Sequence, residues 1–344
     1  MRVAMDATYQ RQPDGGIARY ARHLTAALKE RGDLDIVEIG GGRREKRHTL
    51  RRRLVTLGVD FLWHPAIGGM RAAAVGADVY HSPGFRGPVR KAKVPTVVTI
   101  FDLVSILFPD LASPSAKLYG NRAQRRMSVL ADRVVCISND TANDVETRFG
   151  VHPDRIRVTP LGVDEIFFQP ARGPALVSEP YVLFVGSEQP RKNLERLEQA
   201  IVLLRSRGYP HILVTAGADA WGRVDIGESF LRRMGNVSDE QLVSLYAHSA
   251  CLAIPSLHEG FGLPAMEAMA AGTAVVAANV AALPDVTGGA AVLVDPYDPV
   301  SIADGLERAI TEREGLVALG RERVAEFTWA RTASLTADVY RELV

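Results

Sequence analysis

The chain has 344 residues, of which 47% are hydrophobic and 24% are charged, a balance that excludes a disordered or fibrous protein. Its length is that of two ordinary domains, and no apolar run approaches the roughly 18 residues that a membrane span requires. The first ten residues show no signal-peptide core. Cys136 and Cys251 fall in predicted buried strands, so we expect reduced core thiols and a cytoplasmic protein.

The net charge of +1 conceals an asymmetry along the chain. Residues 1–163 contain 26 Lys and Arg against 16 Asp and Glu, a net charge of +10, whereas the remainder contains 15 against 24, a net charge of −9. The basic excess concentrates in Arg43–Arg53, Arg86–Lys93 and Arg122–Arg126. Such a surface suits an anionic acceptor or peripheral contact with an anionic membrane. It equally suits a solvated face that complements an acidic partner domain.

Strands alternate with helices along the first half, which predicts a parallel α/β architecture. A helix over Ile17–Arg31 follows from apolar side chains at helical spacing. The other elements predicted for this half are strands at Arg2–Ala7, Asp35–Ile39, Val79–His81, Thr96–Leu103, Arg133–Ser138 and Ile156–Leu161, and helices at 60–75, 114–131 and 140–149.

The same alternation restarts in the second half. Predicted strands are Tyr181–Gly186, His211–Gly217, Cys251–Pro255, Thr273–Ala277 and Ala290–Val294, with a helix at Asn193–Arg207 and a capping box at Ser238–Gln241. We therefore expect an acceptor-binding domain over 1–163, a Pro- and Gly-containing linker over 164–179 and a nucleotide-binding domain over 180–326. Two doubly wound, Rossmann-like domains would place the carboxyl ends of their strands on one central cleft, where ligands bind.

The segment over residues 256–272 carries the chemistry, and it reads SLHEGFGLPAMEAMAAG. A glycine-bearing loop runs into a helix with Pro264 at its start and Gly272 at its end. Such a helix N-terminus presents free amide groups to an anion, of which a diphosphate is the obvious example. We expect Glu267 in the first helical turn, where it can accept hydrogen bonds from both ribose hydroxyls. Alternatively, Glu259 and Glu267 stabilise only the helix dipole.

This segment resembles the signature of the family 4 (group 1) retaining glycosyltransferases of GT-B fold, in which two glutamates flank seven residues containing Gly-Phe-Gly-Leu-Pro. Further similarity to the bacterial mannosyl- and rhamnosyltransferases of polysaccharide or glycolipid assembly extends along nearly the whole chain. It lies in the segments that begin at Gly15 (GGIARYARHL), Val97 (VVTIFDL), Val185 (VGSEQPRKNL), Asn236, Ala282, Val294 and Phe327. In such proteins the last segment, here residues 327–344, is a terminal helix that crosses back to the first domain.

The resemblance implies a role for each matching residue. Glu267 would hold the ribose, and Glu259 would contact the donor sugar. Arg191 and Lys192 would neutralise the diphosphate. The other donor-side residues that it implies are Gly15 and Gly16 near the phosphates and the backbone of Gly260, Phe261, Gly262 and Leu263.

The expected mechanism needs no metal and no cofactor besides the nucleotide-sugar donor. Two cations and a helix N-terminus stabilise the negative charge of the departing nucleoside diphosphate. The histidines show no metal-ligand spacing, and Asp33 and Asp35 lie at a helix-to-strand turn where aspartate is ordinary. Glu259, Asp102, Lys192 and Arg191 are the predicted catalytic residues.

The chain departs from the family pattern at one position. Many relatives carry a histidine before the aspartate of the VVTI-x-DL strand, whereas this chain has Phe101 followed by Asp102. Either Asp102 takes the polar contact to the sugar, or Phe101 forms an apolar wall that suits a 6-deoxy sugar. His81 ends a predicted strand on the same side, so His81, Phe101 and Asp102 are the acceptor-side candidates.

The predicted function is retaining transfer of a sugar from a nucleotide-sugar donor, with GDP-mannose as the first choice, to a hydroxyl of a glycan, glycolipid or small-molecule acceptor. No nucleic-acid partner is expected. A nucleotide-sugar epimerase of the same fold is an alternative, against which the intact glutamate pair argues. A non-catalytic nucleotide-sugar-binding protein is favoured only by Phe101. A dinucleotide-dependent dehydrogenase is set aside, because residues 1–16 lack the G-x-G-x-x-G turn.

Overall fold

The computed structural model describes residues 1–10, 15–40, 67–84, 87–88, 90–111, 121–217 and 230–344. The basic segment Arg43–Arg53, Arg86 and the starts of the predicted helices 60–75 and 114–131 lie outside these residues. The described residues form two compact units, one of Met1–Gly162 with Trp329–Val344 and one of Val163–Thr328. Among them, no helix combines the length and the apolar character that crossing a membrane requires.

The first unit is built on a parallel sheet whose strands run in the order β2-β1-β3-β4-β5-β6. The inner strands are mostly apolar and buried because helices cover both faces of such a sheet; in β4, for example, every residue is buried, whereas the edge strands β2 and β6 are only partly buried. The strands are β1 Arg2–Asp6, β2 Asp35–Ile39, β3 Val79–Ser82, β4 Thr96–Ile100, β5 Arg133–Cys136 and β6 Ile156–Val158.

The α-helices of the first unit follow its strands. They are α1 Gly16–Glu30, α2 Gly68–Ala74, α3 Val104–Leu107, α4 Asn121–Leu130, α5 Asn139–Phe149 and the last helix of the chain, α12 Trp329–Arg341. The predicted strands Thr96–Leu103 and Ile156–Leu161 are three residues too long. The chain leaves β4 at Phe101 to form the turn before α3, and Pro160 cannot extend the ladder of β6.

A buried chain of polar side chains connects α12 to the sheet of the first unit. The hydroxyl of Tyr340 lies 2.6 Å from Nδ1 of His81, and Nε2 of His81 lies 2.8 Å from Oγ1 of Thr99. The same Thr99 oxygen lies 3.1 Å from the hydroxyl of Tyr20 on α1. All four side chains are buried. Because each of the four side chains has a hydrogen-bond partner, the network fixes α12 and leaves none of these four unpaired in the core.

The second unit contains a second parallel sheet, with strand order β12-β11-β10-β7-β8-β9. The strands are β7 Tyr181–Val185, β8 Ile212–Ala216, β9 Leu231–Arg233, β10 Cys251–Ile254, β11 Val275–Ala278 and β12 Val292–Val294. The helices are α6 Leu194–Ser206, α7 Asp239–His248, α8 Leu263–Ala270, α9 Leu283–Thr287, α10 Pro299–Thr311 and α11 Arg313–Val324. The two parallel sheets confirm the predicted α/β class.

Several elements of the second unit have no counterpart in the sequence-based prediction. β9 carries two arginines on the edge of the sheet and does not read as an apolar run. α10 begins after Asp298, whose carboxylate accepts a hydrogen bond from the Val300 amide at 2.9 Å, a start signal that the strand pattern alone does not reveal. The segment 164–179 belongs to the second unit and contains a short 3-10 helix, Glu165–Phe168, with Phe167 buried.

Two glycines allow the loops after β7 and β8 to pack backbone against backbone. Gly186 and Gly217 have φ of 143° and 147°, values that residues with a Cβ rarely adopt. A Cβ on Gly217 would lie 2.2 Å from the carbonyl oxygen of Gly186. The Gly186 amide donates to Ala216 O at 2.9 Å, and the Gly217 amide donates to Gly235 O at 2.8 Å. The loop that follows β7 is therefore held at a fixed distance from its neighbours.

We expect Gly217→Ala to destabilise the second unit by more than about 3 kcal/mol, because the backbone strain is added to a contact with main chain that cannot move aside. Gly173→Ala is the matched control, since Gly173 also has a positive φ, of 82°, but no atom within 4 Å of an added Cβ. Its expected cost is about 1–2 kcal/mol. Urea denaturation measures both, and equal costs would contradict the role assigned to the close approach.

We expect His81 to make the first unit less stable as the pH falls below 6.5. Burial lowers the pKa of His81 from 6.5 to about 3, so between these values the unfolded chain binds a proton that the folded chain does not. The free energy of unfolding then falls by up to about 1.4 kcal/mol per pH unit as the pH decreases through that range. His81→Gln should flatten this dependence in urea denaturation followed by circular dichroism. His152→Gln, which alters an exposed histidine of the same unit, should not, and a wild-type slope in His81→Gln would refute the assignment.

Candidate active site

The loop between β7 and α6 is positioned by Asn193. Asn193 has a φ of 61° and precedes the first residue of α6, and asparagine tolerates this left-handed conformation better than most residues. Its buried Nδ2 donates to the carbonyl oxygens of Pro255 at 2.9 Å and Pro296 at 2.6 Å. Because Pro255 follows β10 and Pro296 lies just beyond β12, one amide group ties the loop to the carboxyl ends of the sheet.

Arg191 and Lys192, which directly precede Asn193, meet Glu259 in a buried ion cluster. Nζ of Lys192 lies 2.6 Å from Oε1 of Glu259, and Nη1 of Arg191 lies 3.4 Å from Oε2. The same Arg191 nitrogen donates to the carbonyl oxygen of His258. The side chains of Arg191, Lys192 and Glu259 are only 12%, 13% and 10% exposed. The structure therefore brings together three of the four predicted catalytic residues.

The charges of the cluster determine the protonation state of Glu259. Burial alone raises the pKa of a carboxyl group, but Lys192 and then Arg191 favour the charged form, and hydrogen bonds from Lys192 and Ser256 add to their effect. The net result is a Glu259 pKa below its ordinary value. Glu259 is thus an anion at neutral pH and acts as counter-ion to two cations.

Arg191 also carries a polar atom without a partner. Its Nε is buried and has no hydrogen-bond acceptor within the described part of the chain. A buried N–H of a charged group without an acceptor is unusual in folded proteins. An anion bound beside the loop would supply one.

The glycine loop and α8 follow Glu259 directly. Gly262 has a φ of 89° and precedes α8, Pro264 is the second helical residue, and Gly272, with a φ of 76°, lies just beyond the end of the helix. The side chain of Phe261 is buried and packs edge-to-face on Phe327, with ring centroids 5.8 Å apart. The ring of Phe261 is therefore part of the core, and the predicted backbone contacts of Gly260, Gly262 and Leu263 to a donor stay a prediction.

Glu267 lies deeper in α8 than the sequence analysis predicts. It is the fifth residue of the helix, not part of the first turn, because the helix begins at Leu263. Its side chain is almost entirely buried, at 4% exposed, and the hydroxyl of Tyr246 donates to Oε2 at 3.0 Å. Its burial and its place beyond the first turn argue against the alternative that Glu267 only stabilises the helix dipole. The tyrosine fixes the orientation of the carboxylate.

Three first-unit candidates lie in different environments. Asp102 is half-buried, and Oδ1 accepts a hydrogen bond from the Val104 amide at 3.1 Å, at the start of α3. Phe101 is buried and packs edge-to-face on Tyr20, with ring centroids 5.0 Å apart. The ring of Phe101 is thus a core group, which leaves little of it to form the apolar wall for a sugar.

His81 does not have the character of an acceptor-binding residue. It is fully buried, and both ring nitrogens are engaged with Tyr340 and Thr99. This geometry corrects the expectation that His81 lies on a ligand-facing surface: a neutral histidine inside the core has no ring nitrogen left for a substrate. Gly15 and Gly16, in contrast, are exposed at the start of α1, and Gly15 has a φ of 143°.

Two further residues of the site were not singled out from the sequence. Ser256 is fully buried and donates to Oε1 of Glu259 at 2.7 Å. Tyr246 reaches Glu267 from α7. Ser256 stands three residues before Glu259, so its spacing was available as a signal, whereas Tyr246 reads only as an apolar helix position. The structure, and not the sequence, thus identifies the hydroxyl groups that hydrogen-bond to the two glutamates.

Comparison of the sequence with known proteins identifies a family. Residues 179–312 match the family model for glycosyl transferases group 1, and residues 14–166 match the model for glycosyltransferase family 4. The O-antigen chain mannosyltransferase B of Escherichia coli is 30% identical over 319 residues, which cover 86% of this chain and 82% of that protein. The MMP alpha-(1->4)-mannosyltransferase of Mycolicibacterium hassiacum is 32% identical over 234 residues, which cover 64% of this chain and 56% of that protein.

A solved structure supports the same assignment at the level of fold. The sucrose-phosphate synthase of Thermosynechococcus elongatus superposes with a TM-score of 0.75 at 21% sequence identity, and the match covers 100% of this chain and 99% of that one. The chain belongs to the group 1, family 4 glycosyltransferases and is a glycosyltransferase enzyme of GT-B fold.

Proposed function

We propose that the chain transfers mannose from GDP-mannose to a hydroxyl group of a glycan, glycolipid or small-molecule acceptor, with retention of anomeric configuration. The observation that carries the proposal is the buried cluster of Arg191, Lys192 and Glu259 at the carboxyl end of the second sheet. The choice of mannose follows the names of two relatives, which are both mannosyltransferases. Retention follows the family resemblance.

The cation pair suits a departing diphosphate. When the bond between the sugar and the diphosphate breaks, negative charge grows on the leaving oxygen. Preorganised positive groups that are shielded from water stabilise such charge far better than groups in water. Lys192 and Arg191 are held in place before any ligand binds, Lys192 by Glu259 and Arg191 by the carbonyl of His258. We propose that they stabilise the leaving group without a metal ion.

The two glutamates would bind different parts of the donor, Glu267 the ribose and Glu259 the sugar. Glu267, oriented by Tyr246, would accept hydrogen bonds from the ribose. Glu259 would accept a hydrogen bond from a hydroxyl of the sugar while it remains paired with Lys192. The amides of Gly260, Gly262 and Leu263 would contact phosphate and sugar. The family resemblance adds Gly15 and Gly16 to the donor-binding residues.

The acceptor proposal rests on charge. Residues 1–163 carry a net charge of +10, which suits an anionic acceptor such as a phosphorylated or lipid-linked glycan. In this proposal Asp102 is the polar acceptor-side residue. The basic residues would also favour contact with an anionic membrane surface.

Transfer and hydrolysis assays with GDP-mannose, GDP-fucose, UDP-glucose and UDP-galactose test the function directly. We expect the fastest nucleotide release from GDP-mannose, unchanged turnover in EDTA, and an α-linked product by NMR when an acceptor is found. Faster release from a UDP-sugar would overturn the donor assignment. Loss of turnover in EDTA that is restored by a divalent cation would overturn the metal-free mechanism.

We expect Lys192→Ala to lower turnover by on the order of 10²–10³, as the loss of one preorganised charge contact to a developing anion does. Arg232→Ala is the matched control, because Arg232 is a half-exposed cation of the same unit that pairs with Glu179. Since loss of Lys192 leaves Glu259 with a weaker counter-ion, thermal denaturation must show that the variant is folded. A folded Lys192→Ala enzyme with wild-type turnover would remove Lys192 from the mechanism.

A further inference from the structure

One oxygen of Glu259 receives two short hydrogen bonds, whereas the other receives none within the described part of the chain. Oε1 accepts from Nζ of Lys192 at 2.6 Å and from Oγ of Ser256 at 2.7 Å. Oε2 lies 3.4 Å from Nη1 of Arg191, an ion pair that is too long for a strong hydrogen bond. The two oxygens of this carboxylate are therefore not equivalent.

This asymmetry restricts rotation of the carboxylate. Turning the group away from its observed orientation would break both hydrogen bonds to the oxygen at the Oε1 position, each of them charge-assisted. Ser256 is fully buried two residues beyond β10, and Lys192 lies in the loop after β7, which Asn193 ties to Pro255 and Pro296. The carboxylate consequently keeps Oε2 available to a ligand.

We propose that Ser256 is a positioning residue, whose hydroxyl locks Glu259 so that Oε2 accepts a hydrogen bond from a hydroxyl of the donor sugar. The inference rests on the proposed function, which brings a donor sugar to Glu259. It adds a residue to which the family motif gives no role, and it names the oxygen that meets the substrate.

The alternative is that Ser256 only fills space next to the strand. A buried serine with a purely structural role commonly bonds to main chain, as Ser249 does in the same unit, where Oγ donates to the carbonyl oxygen of Tyr246 at 2.8 Å. Ser256 bonds instead to the charged side chain that lies between two cations. A hydroxyl that donates to a carboxylate stabilises its charged form, so the two roles differ in what they do to the titration of Glu259.

Removing the hydroxyl therefore has two separable consequences. The carboxylate loses one of the two bonds that fix its rotation, which lowers turnover but leaves the diphosphate contacts of Lys192 and Arg191 in place. The pKa of Glu259 also rises, because one interaction that favours the charged form is gone. Within the described residues, the charged groups paired with Glu259 are Lys192 and Arg191 from the loop after β7, and His258 is the titratable residue next to it in the sequence. The substitution changes none of them.

The test compares wild type with Ser256→Ala, Ser256→Cys and the control Ser249→Ala. We expect Ser256→Ala to lower kcat by on the order of 10- to 100-fold, the effect of losing a hydrogen bond to a charged group, with bare GDP affinity unchanged within about twofold. The acid limb of its pH–rate profile should move to higher pH. Ser256→Cys, which fills the same space with a weak donor, should be impaired to an intermediate degree. Ser249→Ala should retain wild-type kinetics.

The outcomes separate this inference from the proposed function. If wild type transfers or hydrolyses none of the nucleotide-sugars, the function fails, and NMR titration of ¹³C-labelled glutamate carboxyls still tests whether Ser256 lowers the pKa of Glu259. If wild type is active and folded Ser256→Ala or Ser256→Cys has wild-type kcat and an unmoved acid limb, the positioning role is refuted. An equal loss of GDP affinity and kcat in Ser256→Ala would also refute it, since that pattern indicates general damage to the site.

Discussion

The buried contact between Lys192 and Glu259 is the interaction on which the site depends. An ammonium group and a carboxylate removed from water lose hydration that only close pairing and further hydrogen bonds can offset. Ser256 supplies such a bond to Glu259, and Arg191, which donates to the His258 carbonyl, adds a second positive charge. The cluster therefore holds two cations at fixed positions in the ligand-free protein. Stabilisation of a departing diphosphate requires positive groups that are positioned in this way in advance.

Close backbone packing of the loops that follow the strands positions this cluster. Gly186 and Gly217 let the loops after β7 and β8 approach to distances that a Cβ would forbid, and Asn193 ties the loop after β7 to the ends of β10 and β12. The cluster thus forms where parallel strands end, the region in which such sheets bind ligands. Lys192 and Glu259 lie 67 residues apart in the sequence. The cluster therefore forms only when the sheet brings the loops after β7 and β10 together.

The sequence predicted the sheet strands and the glutamate signature well, because apolar runs and a spaced motif are local properties. It placed Glu267 too near the start of its helix and left β9 out, since helix starts and polar edge strands carry weak local signals. It also assigned His81 to a ligand. His81 bonds to Tyr340 and Thr99 in the core. Because Tyr340 lies 259 residues further along the chain, a local sequence pattern cannot predict this contact.

The affinity for a bare nucleoside diphosphate after removal of the Glu259 charge tests the central claim most directly. Isothermal titration calorimetry with GDP would compare wild type, Glu259→Gln and the control Glu179→Gln, which removes an exposed carboxylate of the same unit. If Arg191 and Lys192 bind the diphosphate, Glu259 competes with it, and we expect Glu259→Gln to bind GDP about tenfold more tightly, a difference of about 1.4 kcal/mol, with Glu179→Gln unchanged. A folded Glu259→Gln protein that binds GDP no more tightly than wild type would contradict the claim.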